Sequence, residues 1–376
     1  MKNKLLALGL CFVGSLISVA ALAQGKFTAT IQLSPQLDPE DVTVYYDNGK
    51  ELIQVESEFK AGKLIVSETY FSKYATIELS YPSPNPIRSY YKAFFISDKP
   101  ATIRFTPTTV ANNPLASYKL KNAYDIDSKG KAKMETFISA EERDFFEFLD
   151  ANQTKFGESD SLVKVLFQKS ERLALKKAEY IKKHANEYYS FWLFRREIAG
   201  NKLLVADSLL ATFNHAFPAE FKNSAEGIQV AKVLRGMNIK KGQPAPDFFA
   251  TDERGKEVRL TDFKGKFVLI NFWASWCKPC LEEMPVIVEM KEKYPEKLEV
   301  VFITLDSNAD LAAKAVEKYR MSGIHIRGNA DLVATYGAQA IPVVYLVDPE
   351  GNVIYSRHEE GDPQLQQLPG LLQKRI

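Results

Sequence analysis

The sequence predicts a multidomain protein with an N-terminal antiparallel β-sandwich, a central α-helical region and a C-terminal α/β domain. Short alternating and β-branched segments, separated by turn residues, occupy the first part of the chain. Apolar residues recur at helical spacing in the middle, and a long apolar strand followed by a helical pattern lies in the last part. With 376 residues, the chain is long enough for two or three domains.

The N-terminus has the pattern of a secretory signal peptide. Lys2 and Lys4 precede an apolar run over residues 5–22, and Ala21-Leu22-Ala23 forms a small-x-small cleavage site. We therefore predict a cleaved signal peptide over residues 1–23 and a periplasmic location. An uncleaved membrane anchor is the alternative, because the run approaches the length of a membrane-spanning helix.

The charge balance argues against nucleic acid as a partner. Once the two lysines of the signal peptide are removed, 47 basic side chains are balanced by 47 acidic ones. A large basic surface is therefore not expected. Cys11 would leave with the signal peptide, so the mature chain would hold only Cys277 and Cys280. Disulfides are therefore not what holds this fold together.

We assign residues 24–110 to the β-sandwich-like domain. Alternating and β-branched segments in it lie at residues 26–33, 42–46 and 76–81. Turn signals between these segments lie at residues 47–50 and 60–63. This spacing suits an antiparallel sandwich.

We assign residues 111–238 to the helical region. Ser139-Ala140-Glu141-Glu142 resembles a capping box and predicts that a helix begins there. Further helical patterns cover residues 162–184, 187–199 and 202–217. Aromatic residues recur at helical spacing in this region, namely Tyr188, Tyr189, Phe191, Trp192 and Phe194. Such spacing favours a packed core over a ligand groove.

The domain assigned to residues 239–376 holds both remaining cysteines. Cys277 and Cys280 are separated by two residues and lie between the apolar strand and the helical pattern. Such a pair can close a disulfide and reopen it by thiolate exchange. A structural bridge is the alternative, but so short a loop stabilises a domain of this size very little. The pattern therefore predicts redox chemistry.

The predicted helix places Cys277 at its N-terminus. The unpaired amides and the helix dipole there stabilise a thiolate and lower the pKa of the thiol from about 8.5 towards 7 or below. We predict that Cys277 attacks substrate and that Cys280, turned inwards, resolves the intermediate. Lys278 favours the thiolate weakly and Pro279 suits the first helical turn, so both residues are predicted to tune the pair.

Residues 239–376 resemble the TlpA/ResA group of bacterial thiol-disulfide oxidoreductases, which have the thioredoxin fold. The matching strings lie at residues 243–248, 263–266, 271–280, 283–285 and 341–342. The resemblance implies a C-terminal α/β thioredoxin-like fold, with a central mixed sheet flanked by helices.

The resemblance also implies that the Ile341–Pro342 peptide bond is cis and faces the cysteines. Proline cannot donate a ladder hydrogen bond, which leaves neighbouring backbone to pair with an extended substrate. We therefore expect Ile341, Pro342 and Trp276 to bind substrate. An ordinary trans turn at Pro342 is the alternative.

Two positions near the cysteines concern proton transfer. Asn271 stands where thioredoxin has a buried aspartate, and its amide cannot accept the proton of Cys280. Glu283 lies one helical turn after Cys280 and matches an active-site glutamate of the TlpA/ResA group. Partial burial would raise the pKa of Glu283 into the range useful for this transfer, which makes it the third predicted catalytic residue. The alternative is a solvated first-turn carboxylate, as expected for Glu282.

We therefore predict a secreted thiol-disulfide oxidoreductase that acts as a reductant. The resemblance implies disulfide-containing secreted proteins or cytochrome precursors as substrates and a membrane thiol electron donor. No metal and no cofactor is expected beyond the redox-active Cys277–Cys280 disulfide, because the four histidines lack the usual spacing of a zinc site.

Two other functions remain open at this point. A peroxiredoxin-like peroxidase is one, although the residues before Cys277 lack the proline and threonine arrangement of a peroxidatic cysteine. A non-catalytic periplasmic binding module on a thioredoxin scaffold is the other, and the intact cysteine pair argues against it.

Overall fold

The computed structural model describes residues 25–84, 89–109, 113–126 and 130–376. The predicted signal peptide and Cys11 lie outside these residues. Within the described ranges, no helix is both long and apolar enough to cross a membrane.

Two β-sheets form the first part of the described chain. Their strands are β1 Gly25–Gln32, β2 Thr43–Asp47, β3 Leu52–Gln54, β4 Lys63–Tyr70, β5 Ala75–Pro82, β6 Ser89–Ile96, β7 Ala101–Phe105, β8 Tyr118–Lys121 and β9 Ala123–Asp125. One sheet has the order β4-β1-β7-β8 and the other has the order β3-β2-β5-β6-β9. Buried side chains of both sheets, such as Ile31 and Ile77, belong to one apolar core.

The prediction of purely antiparallel pairing is wrong for one pair of strands. β1 and β7 run parallel, with Ala29 opposite Ala101. Parallel neighbours need a long connection between them, and here the strands β2 to β6 intervene along the chain. The β part also extends past residue 110, because β8 pairs with β7 and β9 pairs with β6. These strands of four and three residues are too short for their alternation to be recognised.

Helices form the second part of the chain. They are α1 Lys131–Asn152, α2 Asp160–Lys183, α3 Tyr188–Leu193, α4 Ala206–Ala216, α5 Ala219–Lys222 and α6 Ala225–Met237. α3 continues directly into a π-helical turn at Phe194–Ile198. The aromatic residues at helical spacing lie in or against the core of this part, as predicted.

The start of α1 differs from the prediction. α1 begins at Lys131, so Ser139 lies inside the helix. The Ser139 hydroxyl donates to the carbonyl of Thr136 at 3.0 Å and does not cap a helix start. Serine hydroxyls commonly satisfy themselves on the preceding turn in mid-helix. The capping-box motif therefore does not mark a helix terminus here.

Buried ion pairs join the β part to the helical part. Arg195, in the π-helical turn, contacts the carboxylates of Asp47 and Glu226, whose side chains are both 1% exposed. Burial raises the pKa of Glu226 to about 7, although Arg195 opposes this rise. Arg196 similarly contacts the buried carboxylate of Glu78 in β5 at 3.0 Å.

A mixed sheet flanked by helices forms the last part of the chain. Its elements are β10 Phe249–Thr251, β11 Glu257–Arg259, β12 Phe267–Trp273, α7 Lys278–Lys293, β13 Leu298–Thr304, α8 Ala309–Tyr319, β14 Ile324–Arg327, α9 Ala330–Thr335, β15 Val343–Val347, β16 Val353–Ser356, α10 Arg357–Glu360 and α11 Leu368–Gln373. The sheet order is β14-β13-β12-β15-β16. β12, β13 and β14 are parallel, and β15 and β16 are antiparallel to their neighbours.

The central strand β12 is buried along its whole length. Leu269 and Trp273 contribute to a core shared with α7, whereas Ile270 and Phe272 contribute to a second core shared with α9. A mixed sheet covered on both faces is the thioredoxin-like fold that the resemblance implied.

The helical part also contacts the loop before β15. Gly236 of α6 lies so close to this segment that a Cβ atom on it would come within 2.5 Å of the backbone nitrogen of Gly337. Lys202 donates from Nζ to the carbonyl of Ala340, two residues before Pro342. The loop that leads into β15 is therefore held by the helical part.

We predict that Arg195→Met lowers the free energy of unfolding by about 3–5 kcal/mol, because it leaves two buried carboxylates without their cation. Urea unfolding followed by circular dichroism measures this loss. Lys183→Met is the control, since Lys183 and its partner Glu179 are 57% and 46% exposed. The control should lose less than about 1 kcal/mol. An equally small loss in Arg195→Met would show that the buried cluster does not stabilise the fold.

Candidate active site

The cysteine pair lies where β12 meets α7. Cys277 is the N-cap residue of α7, and its Sγ accepts a hydrogen bond from the backbone N–H of Cys280 at 3.3 Å. The two residues form a disulfide, with their Cα atoms 5.3 Å apart. Cys277 is 5% exposed and Cys280 is fully buried, so Cys280 is the inward sulfur. The helix N-terminus favours a thiolate at Cys277 when the bridge is open.

The residues around Cys277 form an exposed rim. Trp276 is 67% exposed, although it is a large apolar side chain. The Lys278 side chain is 88% exposed and lies 3.8 Å from the carboxylate of Glu282. A solvated cation of this kind has only a weak effect on a neighbouring thiol. Pro279 is exposed in the first turn of α7, where its missing N–H leaves no hydrogen bond unmade.

The turn between β12 and Cys277 is fixed by a buried carboxylate. Asp306, which is 4% exposed, accepts hydrogen bonds from the backbone N–H and the hydroxyl of Ser275 at 2.8 and 2.7 Å. Thr304, the last residue of β13, also donates to Asp306 at 2.7 Å. Sequence reasoning missed Asp306, although a polar residue just after a parallel strand is a recognisable signal.

The loop before β15 lies at the same end of the sheet as the cysteines. The Ile341–Pro342 peptide bond is cis, as the resemblance implied. Val343 pairs with Phe272 near the end of β12, which places Pro342 beside the turn that carries the cysteines. Ile341 packs against the core that contains Cys277 and Cys280. The structure therefore brings the predicted loop and the predicted cysteine pair together.

A small cavity lies behind Pro342. Its volume is about 20 Å³, and its lining includes Lys202 of the helical part and His358 of α10. Burial, with a smaller contribution from the charge of Arg357, lowers the pKa of Lys202 to about 8. The pKa of His358 is also lowered, first by burial and then by Lys202 and Arg357. No sequence pattern predicts that Lys202 lies here, because it is distant in the chain from Pro342.

Glu283 lies on the buried face of α7, one turn after Cys280. Its side chain is 1% exposed, so the solvated alternative is wrong for Glu283, whereas the Glu282 side chain is 64% exposed. Arg357 donates from Nε to Oε1 of Glu283 at 2.7 Å, and its Nη2 lies 2.6 Å from the same oxygen. Oε2 of Glu283 is buried and has no protein partner in the described part of the chain.

Burial dominates the protonation of Glu283. It raises the pKa of the carboxyl to about 7, while the hydrogen bond and the charge of Arg357 act in the opposite direction. Asp362 and Glu282 add smaller upward contributions to this pKa. A carboxyl group with a pKa near 7 can exchange a proton with a thiol at neutral pH.

Asn271 is the second buried polar residue of this core. It is fully buried, and alternation along β12 places it on the same face as Leu269 and Trp273. Neither its side-chain nitrogen nor its oxygen has a hydrogen-bond partner among the described residues. The Asn271 amide has no acidic proton to exchange with Cys280, whereas Glu283 is a buried carboxyl group one helical turn after Cys280.

The C-terminal region matches a known family. The family model described as Redoxin matches residues 240–372. The thiol-disulfide oxidoreductase ResA of Bacillus thuringiensis subsp. konkukian is 39% identical over 136 residues, which cover 35% of this chain and 77% of that protein.

The chain belongs to the family of ResA-like thiol-disulfide oxidoreductases.

Other comparisons concern the same part of the chain. The thioredoxin-like protein YneN of Bacillus subtilis is 36% identical over 119 residues, covering 31% of this chain and 69% of that protein. The crystal structure of the thioredoxin domain of a thiol-disulfide oxidoreductase from Bacteroides vulgatus is 26% identical, with a TM-score of 0.33 and coverage of 37% and 99% of the two chains.

The ResA-like chain is thus an enzyme of thiol-disulfide exchange. Among the described residues, no group of three or more His, Cys, Asp or Glu side chains is arranged to hold a metal ion.

We predict that the raised pKa of Glu283 makes the stability of the oxidised protein fall as pH rises. The folded state holds a proton on Glu283 up to about pH 7, whereas the unfolded chain releases it near pH 4.5. The stabilising contribution is therefore present below pH 4.5 and is lost as pH rises through 7. Between pH 5 and 8 the loss amounts to about 2 kcal/mol.

Glu283→Gln removes this titration. The difference in unfolding free energy between the variant and the wild type should therefore shift by about 2 kcal/mol in favour of the variant between pH 5 and 8. Urea unfolding at the two pH values measures the shift. Glu282→Gln, which changes the exposed neighbour, is the control and should show no such trend. A constant difference for Glu283→Gln would contradict the raised pKa.

Proposed function

We propose that this chain is a periplasmic thiol-disulfide reductase in which Cys277 attacks, Cys280 resolves and Glu283 moves the proton of Cys280. One observation carries the proposal. The pair occupies the N-terminus of α7 with Cys277 as N-cap, and the buried Glu283 lies one turn behind Cys280. This arrangement favours a thiolate at the outer sulfur and supplies a proton acceptor for the inner one.

The reaction begins with the reduced pair. The Cys277 thiolate attacks one sulfur of a substrate disulfide, the substrate S–S bond breaks, and one substrate thiolate leaves and takes a proton from solvent. A mixed disulfide now joins Cys277 to the substrate. The cation of Lys278 and the first-turn geometry at Pro279 favour the Cys277 thiolate.

The second step releases the substrate. The Cys280 thiol gives its proton to the Glu283 carboxylate, and the resulting thiolate attacks Sγ of Cys277. The mixed disulfide breaks, the second substrate thiolate leaves, and the Cys277–Cys280 disulfide forms. Two electrons have passed from the protein to the substrate, so an external dithiol must reduce the pair again. We propose a membrane thiol donor for that role.

Substrate binding is proposed at the rim around Cys277. Trp276 offers an exposed apolar surface, and Ile341 and Pro342 offer backbone in the loop beside the cysteine pair. An extended segment of a disulfide-containing secreted protein or a cytochrome precursor fits such an edge by β-strand addition. The proposed periplasmic location rests on the signal-peptide pattern over residues 1–23.

Cys280→Ser is predicted to trap covalent partners. The variant keeps the attacking thiolate but lacks the resolving one, so mixed disulfides through Cys277 should accumulate. The measurement is isolation of the variant from the periplasm, followed by non-reducing electrophoresis and mass spectrometry. Cys277→Ser is the matched control and should trap far less. Equal trapping by the two variants, or none by either, would contradict the assigned roles.

The midpoint potential decides the direction of electron flow. We expect a value nearer to that of thioredoxin, about −270 mV, than to that of a strong oxidant, about −120 mV. Equilibration of the mature protein with dithiothreitol or glutathione redox buffers, followed by quantification of free thiols, measures it. A potential near that of the strong oxidant would make the protein an oxidase of thiols and overturn the reductant role.

A further inference from the structure

Arg357 makes an unusual contact with Glu283. A guanidinium group commonly binds a carboxylate through two parallel hydrogen bonds, one to each oxygen. Here Nε and Nη2 of Arg357 both lie on Oε1 of Glu283, at 2.7 and 2.6 Å. Oε2 is left buried and without a protein partner among the described residues. The carboxyl group is thus held by one oxygen while the other is free.

Arg357 is itself held in place from the opposite side. Its Nη2 also donates to the carbonyl of Pro363 at 3.1 Å, and its side chain is 19% exposed. Arg357 is the first residue of α10, directly after β16. The guanidinium is therefore positioned by the backbone of the C-terminal segment and does not depend on Glu283 alone.

Other charged groups face the same carboxyl. Asp362, which follows α10, and Glu282, on α7 itself, both raise the pKa of Glu283. The charge of Asp362 is satisfied by the hydroxyl of Tyr355 at 3.0 Å and by the backbone N–H groups of Gln366 and Gln367. Arg357 supplies the positive charge among the main groups of the described residues that act on the pKa of Glu283.

We propose that Arg357 is a positioning residue for proton transfer, which holds Glu283 by Oε1 so that Oε2 receives the proton of Cys280. In this step the S–H bond of Cys280 breaks as an O–H bond forms at Oε2, and no electrons leave the sulfur. The positive charge of Arg357 keeps the carboxylate available as a base at neutral pH. The inference rests on the proposed role of Glu283 and assigns a function to a residue 74 positions further along the chain.

The test separates the attack step from the resolving step. The reduced protein is mixed with oxidised glutathione between pH 5 and 10, quenched with acid, and analysed by mass spectrometry. A slow resolving step leaves a single glutathione adduct on Cys277. We expect the wild type to show little adduct at pH 7, because Glu283 accepts the proton of Cys280.

Arg357→Met should accumulate the adduct at pH 7 and lose it again at higher pH. Without the cation, the carboxyl keeps its proton to higher pH, so the resolving rate at pH 7 should fall about tenfold for each unit by which its pKa rises. Arg357→Lys keeps the charge without the paired contacts, and its pH profile should lie between those of the wild type and Arg357→Met. Arg327→Met is the matched control, because the Arg327 side chain donates to the carbonyl of Ser307 and pairs with no carboxylate in the described part of the chain. Its profile should be that of the wild type.

Two further readouts distinguish positioning from a general structural effect. The pKa of Glu283, measured by carboxyl ¹³C NMR, should be higher in Arg357→Met than in the wild type. Glu283→Gln should accumulate the adduct across the pH range, and adding Arg357→Met to it should slow resolution no further. Arg357→Lys keeps the test decisive if Arg357→Met does not fold.

The outcomes separate the two proposals. Wild-type adduct levels in both Arg357 variants, together with a strong effect of Glu283→Gln, would overturn the role of Arg357 and leave that of Glu283 intact. Wild-type behaviour of Glu283→Gln would overturn the proton-transfer role of the carboxyl itself. Additive effects of the two substitutions would show that Arg357 acts on the site by another route.

Discussion

The arrangement of this site depends on the complete burial of β12. Its side chains alternate between two apolar cores, so its position in the sheet is fixed from both faces. The end of this strand therefore has a defined position. The turn that follows it is held by the buried Asp306, which accepts two hydrogen bonds from Ser275. The turn sets the start of α7. Cys277 therefore lies at the helix N-terminus, where the unpaired amides favour a thiolate.

Burial also sets the protonation of the carboxyl group that lies one helical turn after Cys280. A carboxyl on the exposed face of α7 would be ionised at neutral pH, whereas Glu283 on the buried face has a pKa near 7. Complete removal from water would push this pKa higher still, and the contact with Arg357 limits the rise. The two effects are of opposite sign and act on the same group. Their balance, rather than either effect alone, places the carboxyl in the range useful for exchanging a proton with Cys280.

The β part and the helical part are connected to the thioredoxin-like domain through a series of contacts. The β part is joined to the helices through Arg195 and its two buried carboxylates. The helices in turn contact the loop before β15, where Lys202 bonds the carbonyl of Ala340. The loop that carries Pro342 is thus contacted by the helical part. That part lies outside residues 240–372, which the Redoxin family model matches.

The sequence by itself determined the features that rest on local patterns: the cysteine spacing, the N-terminal position of Cys277 and the helical core of aromatic residues. The thioredoxin-like domain followed from the resemblance of its sequence strings to the TlpA/ResA group. It could not determine contacts between distant segments, because alternation and helical spacing carry no information about which strands or charges become neighbours. The parallel pairing of β1 with β7 differs from the prediction for this reason. The strands β8 and β9 were missed because they are too short to show alternation, and the start of α1 because a capping-box motif lies inside the helix. Only the tertiary structure decided that Arg357 contacts Glu283. The burial of a carboxyl group, and which cation lies beside it, depend on how separate elements of the fold pack together.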